Sequence, residues 1–181
     1  MTAAIGMATA VTAHVPPLDI DAFVEREARN VLHYFLRRVD VADDAADLLG
    51  ETLLVVWRGR HRIPNDPVEA RMWLFGVARK VLSTQRRGRV RRVALADRLR
   101  DDLAVRAGAS AVAVGEDVRA AVRTLPVVDR EIIGLVYWEG FSLQQAATIL
   151  GMRPATVRSR HARARARLRD ALLEQGYVDE A

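Results

Sequence analysis

A chain of 181 residues has room for one compact domain or two small ones, which excludes a large multi-domain enzyme. Apolar residues make up 50% and charged residues 28%, with 11 Gly and 6 Pro, so the chain can bury a core and is neither disordered nor fibrous in type. The net charge of +5 rests on arginine, because Lys80 is the one lysine among 28 basic residues, and clustered arginine suits a polyanionic partner through bidentate contacts with phosphate and guanine edges.

Residues 1–15 are small and apolar with no Lys or Arg, so they lack the charged start of a signal peptide. Residues 1–17 are therefore expected to form a disordered leader ending at Pro16-Pro17. No uncharged stretch approaches the ~20 residues of a membrane span, and membrane insertion is not expected. The lack of cysteine excludes disulfides, iron-sulfur clusters, thiolate zinc and a Cys nucleophile, and it fits a reducing cytoplasm.

Phe23, Val24, Val31, Leu32, Phe35 and Leu36 recur at helical spacing between Asp21 and Val39, and Asp40 to Asp43 is expected to cap the next helix. That helix is predicted from Asp44 to Trp57. Leu49, Leu53 and Val56 form its apolar stripe, while Asp44, Asp47 and Glu51 form a separate acidic one. Gly59, Pro64, Asn65 and Pro67 predict a loop from Arg58 to Val68. A third helix follows to Arg87 with Leu74, Val77, Ala78 and Val81 inward and Arg79, Lys80, Ser83, Arg86 and Arg87 outward. Arg79 to Arg92 holds seven basic residues and no acid, a pattern suited equally to tracking a nucleic-acid backbone and to a solvated helix end followed by a charged linker. Trp73 and Phe75 nearby read as core residues rather than base stackers.

Periodicity weakens after Gly88, and a flexible linker is expected over 91–115, with Val93 to Val105 suited to a short helix inside it. Helices are then predicted from Glu116 to Thr124 and from Val128 to Trp138, separated by Leu125-Pro126. Ser142 and Gln145 form a capping box opening a helix that closes on Gly151, and a long helix runs from Arg153 to Glu174. With no alternating β-branched run, the fold class is all-α.

A short capped helix, a tight glycine turn and a longer helix make a helix-turn-helix, whose second helix enters the major groove with its early turns on base edges. Arg153 to Arg169 carries seven arginines and no acid, while Val157, Ala164 and Leu168 keep one stripe for the core. Arg158, Ser159, Arg160 and Arg163 are the candidate base readers. Arg165, Arg167 and Arg169 suit phosphates or solvent. A solvated arginine face on an ordinary bundle helix is the alternative, and it requires cap, turn and one-sided charge to coincide. Asp44, Asp47 and Glu51 read best as a docking face for a basic partner, since no histidine joins them as a ligand and the chain has no Gly-rich phosphate loop. His14, His33, His61 and His161 are scattered, and His161 falls on the inward stripe of its helix. No catalytic, metal or cofactor site is expected.

Asp44 to Trp57, Trp73 to Lys80 with Arg86-Arg87, Leu125-Pro-Val-Val-Asp-Arg-Glu131, Ser142 to Ala147, Gly151 and Ala155-Thr-Val-Arg-Ser-Arg160 closely resemble, in this order and spacing, the extracytoplasmic-function group of bacterial sigma factors. The resemblance covers about Asp21 to Leu173. It implies two small helical domains: an N-terminal one over 18–90, for core polymerase and the minus-ten element, and a C-terminal helix-turn-helix over 116–175, for the minus-thirty-five element. Residues 176–181 would be a tail.

By the same resemblance Asp44, Asp47, Leu48 and Glu51 would dock on the clamp helices of the largest polymerase subunit. Arg79, Lys80, Ser83, Arg86 and Arg87 would face minus-ten DNA, with Arg62 and Asn65 in a loop shaping a flipped-base pocket. Arg158, Ser159, Arg160 and Arg163 would read the upstream element, and an anti-sigma factor would be a further partner. Ala46, Gly50, Lys80, Thr84, Ala155 and His161 depart from the family's usual residues. The implied function is a non-enzymatic promoter-specificity subunit of RNA polymerase. A plain operator-binding regulator and a metal-dependent nuclease using Asp44, Asp47 and Glu51 are the rival readings.

Overall fold

A computed structural model of the chain describes residues 18–99 and 116–174, and among them it contains seven α-helices and no strand. The expected leader over 1–17, the tail over 176–181 and residues 100–115 of the expected linker lie outside the described residues.

Helix α1, Ile20–Leu36, starts where the Asp19 carboxylate accepts the Ala22 N–H at 3.1 Å, a side-chain cap for a donor that has no helical partner. Helix α2, Ala42–Arg58, starts without one: Val41 occupies the cap position, and no side chain of the Asp40 to Asp43 segment caps it as expected. Asp43 and Asp44 instead lie in its first turn, where negative charge favours the helix dipole. The apolar face of α2 is also rotated from the predicted stripe. Ala45, Leu48, Thr52 and Val56 are buried, while Leu49 and Leu53 are only half-buried. Thr52 can sit inside because its hydroxyl donates to the Leu48 carbonyl at 2.7 Å.

A short 3-10 turn, Arg60–Arg62, breaks the predicted loop. Helix α3, Pro67–Leu99, is capped by Asp66, whose carboxylate accepts the N–H groups of Val68 and Glu69 at 3.0 and 2.9 Å. It runs through Gly88 and nine residues into the segment expected to be linker. One internal glycine costs a helix only about 1 kcal/mol, and the Arg, Val, Ala and Leu that follow contain no proline to stop it.

Helices α4 (Glu116–Thr124), α5 (Val127–Tyr137), α6 (Leu143–Leu150) and α7 (Pro154–Glu174) make the second half. Ser142 and Gln145 form the reciprocal capping box, and Gly151 closes α6 with φ of 64°, a left-handed conformation that glycine adopts without a Cβ clash. A small core joins Val122, Leu125, Ile133 and Ala164, with Leu168 packed against it.

The two halves meet. Phe23, Tyr34, Phe35, Leu48, Leu74 and Phe75 of the first half share one buried cluster with Ile132, Leu135, Phe141, Ala147 and Leu150 of the second. The Phe75 and Phe141 rings pack edge-on with centroids 5.1 Å apart. Phe75 is therefore core, as expected, and Trp73 is half-buried against the same cluster.

Candidate nucleic-acid interface

The helix-turn-helix is α6, the Gly151 turn and α7. Val157 and Ala164 of α7 are fully buried and Leu168 partly so, which turns the opposite face outward. Arg158, Ser159 and Arg163 lie on that outward face and are exposed, as are Arg165, Arg167 and Arg169. The Ser159 hydroxyl donates to the Thr156 carbonyl at 3.1 Å.

Arg160 departs from the group. Its Nη1 donates to Asp129 Oδ1 at 2.7 Å, and Asp129 is almost completely buried in the first turn of α5. Arg167 approaches the other carboxylate oxygen at 3.8 Å. A guanidinium already committed to a buried carboxylate is a poor reader of base edges, and this contact ties α7 to α5. Periodicity alone gives no sign of a pair 31 residues apart.

His161 stacks on Tyr137 with centroids 5.7 Å apart, half-buried as its place on the helix implied. Burial, assisted by the neighbouring Arg165 charge, lowers its pKa and keeps the ring neutral at pH 7.

In the first half Lys80, Arg86 and Arg87 are exposed on α3, and Arg79 and Ser83 are half-buried beside them. Arg86 donates to the Arg38 carbonyl at 2.9 Å and Arg87 to the Thr84 hydroxyl at 3.2 Å. Arg62 and Asn65 are exposed in the connection between α2 and α3.

On α2, Asp47 and Glu51 are exposed and Asp44 half-buried. Leu48 is not available to a partner: it is 1% exposed inside the core, because the apolar face of α2 turns toward α1 and α3 at this position. Leu54, Val55 and Trp57 are the exposed apolar residues of the helix. They fell outside the expected site because it was drawn on carboxylates, although Leu54 and Val55 lie three and four residues beyond Glu51 on the same stripe. Among the described residues no three His, Cys, Asp or Glu side chains come together as a metal-ligating group.

Between the halves lies a charge network absent from the sequence reading. Arg38 donates from Nε to Glu131 at 3.0 Å and from Nη1 to the Tyr34 carbonyl at 2.9 Å, with Glu139 at 3.4 Å. Arg37 reaches both oxygens of Glu139 at 2.8 and 2.9 Å, and the Tyr34 hydroxyl donates to Glu131 at 2.7 Å. Burial, reinforced by Glu131, holds the Tyr34 phenol well above its ordinary pKa, so it stays a neutral donor. Burial opposes the Arg38 charge, but Glu131, Tyr34 and Glu139 outweigh it and raise its pKa.

No described helix is long and apolar enough to cross a membrane. Residues 23–92 match the family model for sigma-70 region 2, and residues 115–168 match the model for sigma-70 region 4. The chain is 32% identical over 167 residues to the ECF RNA polymerase sigma factor SigL of Mycobacterium tuberculosis, covering 87% of this chain and 90% of the relative. It is 39% identical over 142 residues to the ECF RNA polymerase sigma factor EcfG of Rhodopseudomonas palustris, covering 77% and 75%. Among solved structures it is similar to the sigma factor RpoE in complex with the anti-sigma factor NepR from Bartonella quintana. That likeness has a TM-score of 0.69 and 27% identity over 85% of this chain and 96% of the other.

Proposed function

The chain belongs to the extracytoplasmic-function group of RNA polymerase sigma factors, which direct polymerase to specific promoters, and on that premise we propose which of its surfaces does each part of the work. Exposed Arg158, Ser159 and Arg163 on α7 read base edges of the upstream element. Arg165 and Arg169 take phosphates. Asp129 holds α7 at the right angle through Arg160. The basic surface of Arg62, Asn65, Arg79, Lys80, Ser83, Arg86 and Arg87 receives the melted downstream strand, where cationic side chains follow the backbone of unpaired bases. The acids of α2, exposed Asp47 and Glu51 with half-buried Asp44, dock on a basic surface of core polymerase, the largest-subunit clamp helices. An anti-sigma factor is a further partner, supported by the complex in which the similar sigma factor RpoE was solved. The protein acts by binding alone, in the cytoplasm where polymerase works.

The observation that carries this assignment is the outward face of α7 from Arg158 to Arg169, acid-free and arginine-rich beyond a capped helix and a left-handed glycine turn. The test is transcription of fragmented DNA from the source genome by core polymerase with and without the chain, followed by mapping of RNA 5′ ends. Starts that appear only with the chain and share two upstream sequence elements are expected. Starts that share no upstream element would refute it. An operator-binding regulator would give no core-dependent starts at all.

A further inference from the structure

Ser159 is the one hydroxyl among the candidate base readers of α7, and its proton is already committed. The hydroxyl oxygen stands 3.1 Å from the Thr156 carbonyl, which carries no hydrogen, so Ser159 is the donor of that bond. What remains on Oγ is acceptor capacity, on an exposed side chain. Its neighbours on the same helix face, three and four residues away, are Ala155, Thr156, Ala162 and Arg163, all exposed. The first three of these carry methyl groups.

The major-groove edge of each base decides what such an acceptor can meet. Guanine offers acceptors alone, N7 and O6, whereas adenine and cytosine each offer an amino donor. To bond guanine, Ser159 would withdraw its proton from the Thr156 carbonyl and exchange one hydrogen bond for another. An amino group adds a bond and leaves the first in place. One net hydrogen bond corresponds to about fivefold in affinity. Between adenine and cytosine the methyl groups decide, because the thymine paired with adenine brings its own methyl to the same groove edge and a C·G pair brings none.

We propose that Ser159, fixed as an acceptor by its bond to the Thr156 carbonyl and set among the methyl groups of Ala155, Thr156 and Ala162, reads one A·T base pair of the upstream element. The adenine amino group donates to Oγ, and the thymine methyl packs on the methyl groups around it. Arg158 and Arg163 make no hydrogen bond or ion pair among the described residues, so their guanidinium groups are left for the acceptors of other base pairs. This inference deepens the assignment of α7 as the base-reading helix and rests on it.

The test selects duplexes from a random-sequence library with the full chain, once bound to core polymerase and once alone. Each A·T pair of the enriched element is then altered by one group at a time. Unsubstituted purine in place of adenine removes the amino group, and uracil in place of thymine removes the methyl. One pair is expected at which purine weakens wild-type binding about fivefold and uracil about twofold. At that pair Ser159→Ala should abolish the purine effect and keep the uracil effect, whereas Ala155→Ser with Ala162→Ser should shrink the uracil effect and keep the purine effect. All three positions are exposed on α7, so helical content should be preserved in each variant. Purine effects that survive Ser159→Ala at every A·T pair, or guanine selected at the position where Ser159→Ala changes base preference, would overturn the proposal. Enrichment by the chain alone but not with core polymerase would overturn the sigma-factor reading and leave the analogue test of Ser159 to be read on the element so selected. Enrichment in neither arm would overturn both.

Discussion

Asp129 places one negative charge beneath two arginines of α7, and the three residues differ in what their loss should do. Arg160→Ala leaves a buried carboxylate without its 2.7 Å partner, so it should lower folding stability by about 1 to 3 kcal/mol, read from urea denaturation. It should weaken binding to all upstream sequences alike. Arg163→Ala should leave stability intact and cost about 1 to 3 kcal/mol chiefly at one base position, measured by competition with single-base promoter variants. Equal losses across all variants for Arg163→Ala would remove it from the base readers. His161 offers a pH test. Its folded pKa is lowered, so the unfolded chain binds more protons and stability rises with pH across that interval. The contribution is fully present above the unfolded value of about 6.5 and is lost as pH falls toward the folded value. Denaturation midpoints between pH 7.5 and 5 should therefore fall less in His161→Leu than in the wild type.

At the scale of elements, the helices were legible because each carries its own punctuation. Ser142, Gln145 and Gly151 delimit α6 through local hydrogen bonds and one backbone conformation, and α4 falls where it was predicted, Glu116 to Thr124. What escaped the sequence was orientation within a helix and contact between distant helices. Leu48 and Leu49 both suit a core by composition. Packing against α1 and α3 decides that Leu48 is the buried one and cannot join the docking face. Arg38 and Glu131 are 93 residues apart and each reads as an ordinary surface charge until the halves meet. The acidic face of α2 keeps Asp47 and Glu51 exposed without Leu48. Reversing both to Arg should therefore weaken core-polymerase binding by about 2 kcal/mol or more, about thirtyfold in Kd, while DNA binding through α7 is unchanged. Pull-down against core enzyme checks it, and undiminished capture of the folded double variant would reject this face as the dock.

For the whole molecule, the account requires the two DNA surfaces to act at different stages. On the proposed assignment, the surface of α7 faces duplex and contributes from first encounter. The exposed surface around Lys80 and Arg87 is on the same assignment the one that meets bases leaving the stack on melting, so it should govern opening rather than initial binding. The most direct test is permanganate reactivity of promoter thymines in the polymerase complex, compared between the wild type and the Lys80→Ala, Arg87→Ala double variant on duplex and premelted templates. The account predicts that the variant binds duplex nearly normally at low temperature, shows reduced thymine reactivity there, and recovers most of its transcription on the premelted bubble. Equal failure on duplex and bubble would contradict the assignment of this face to strand capture.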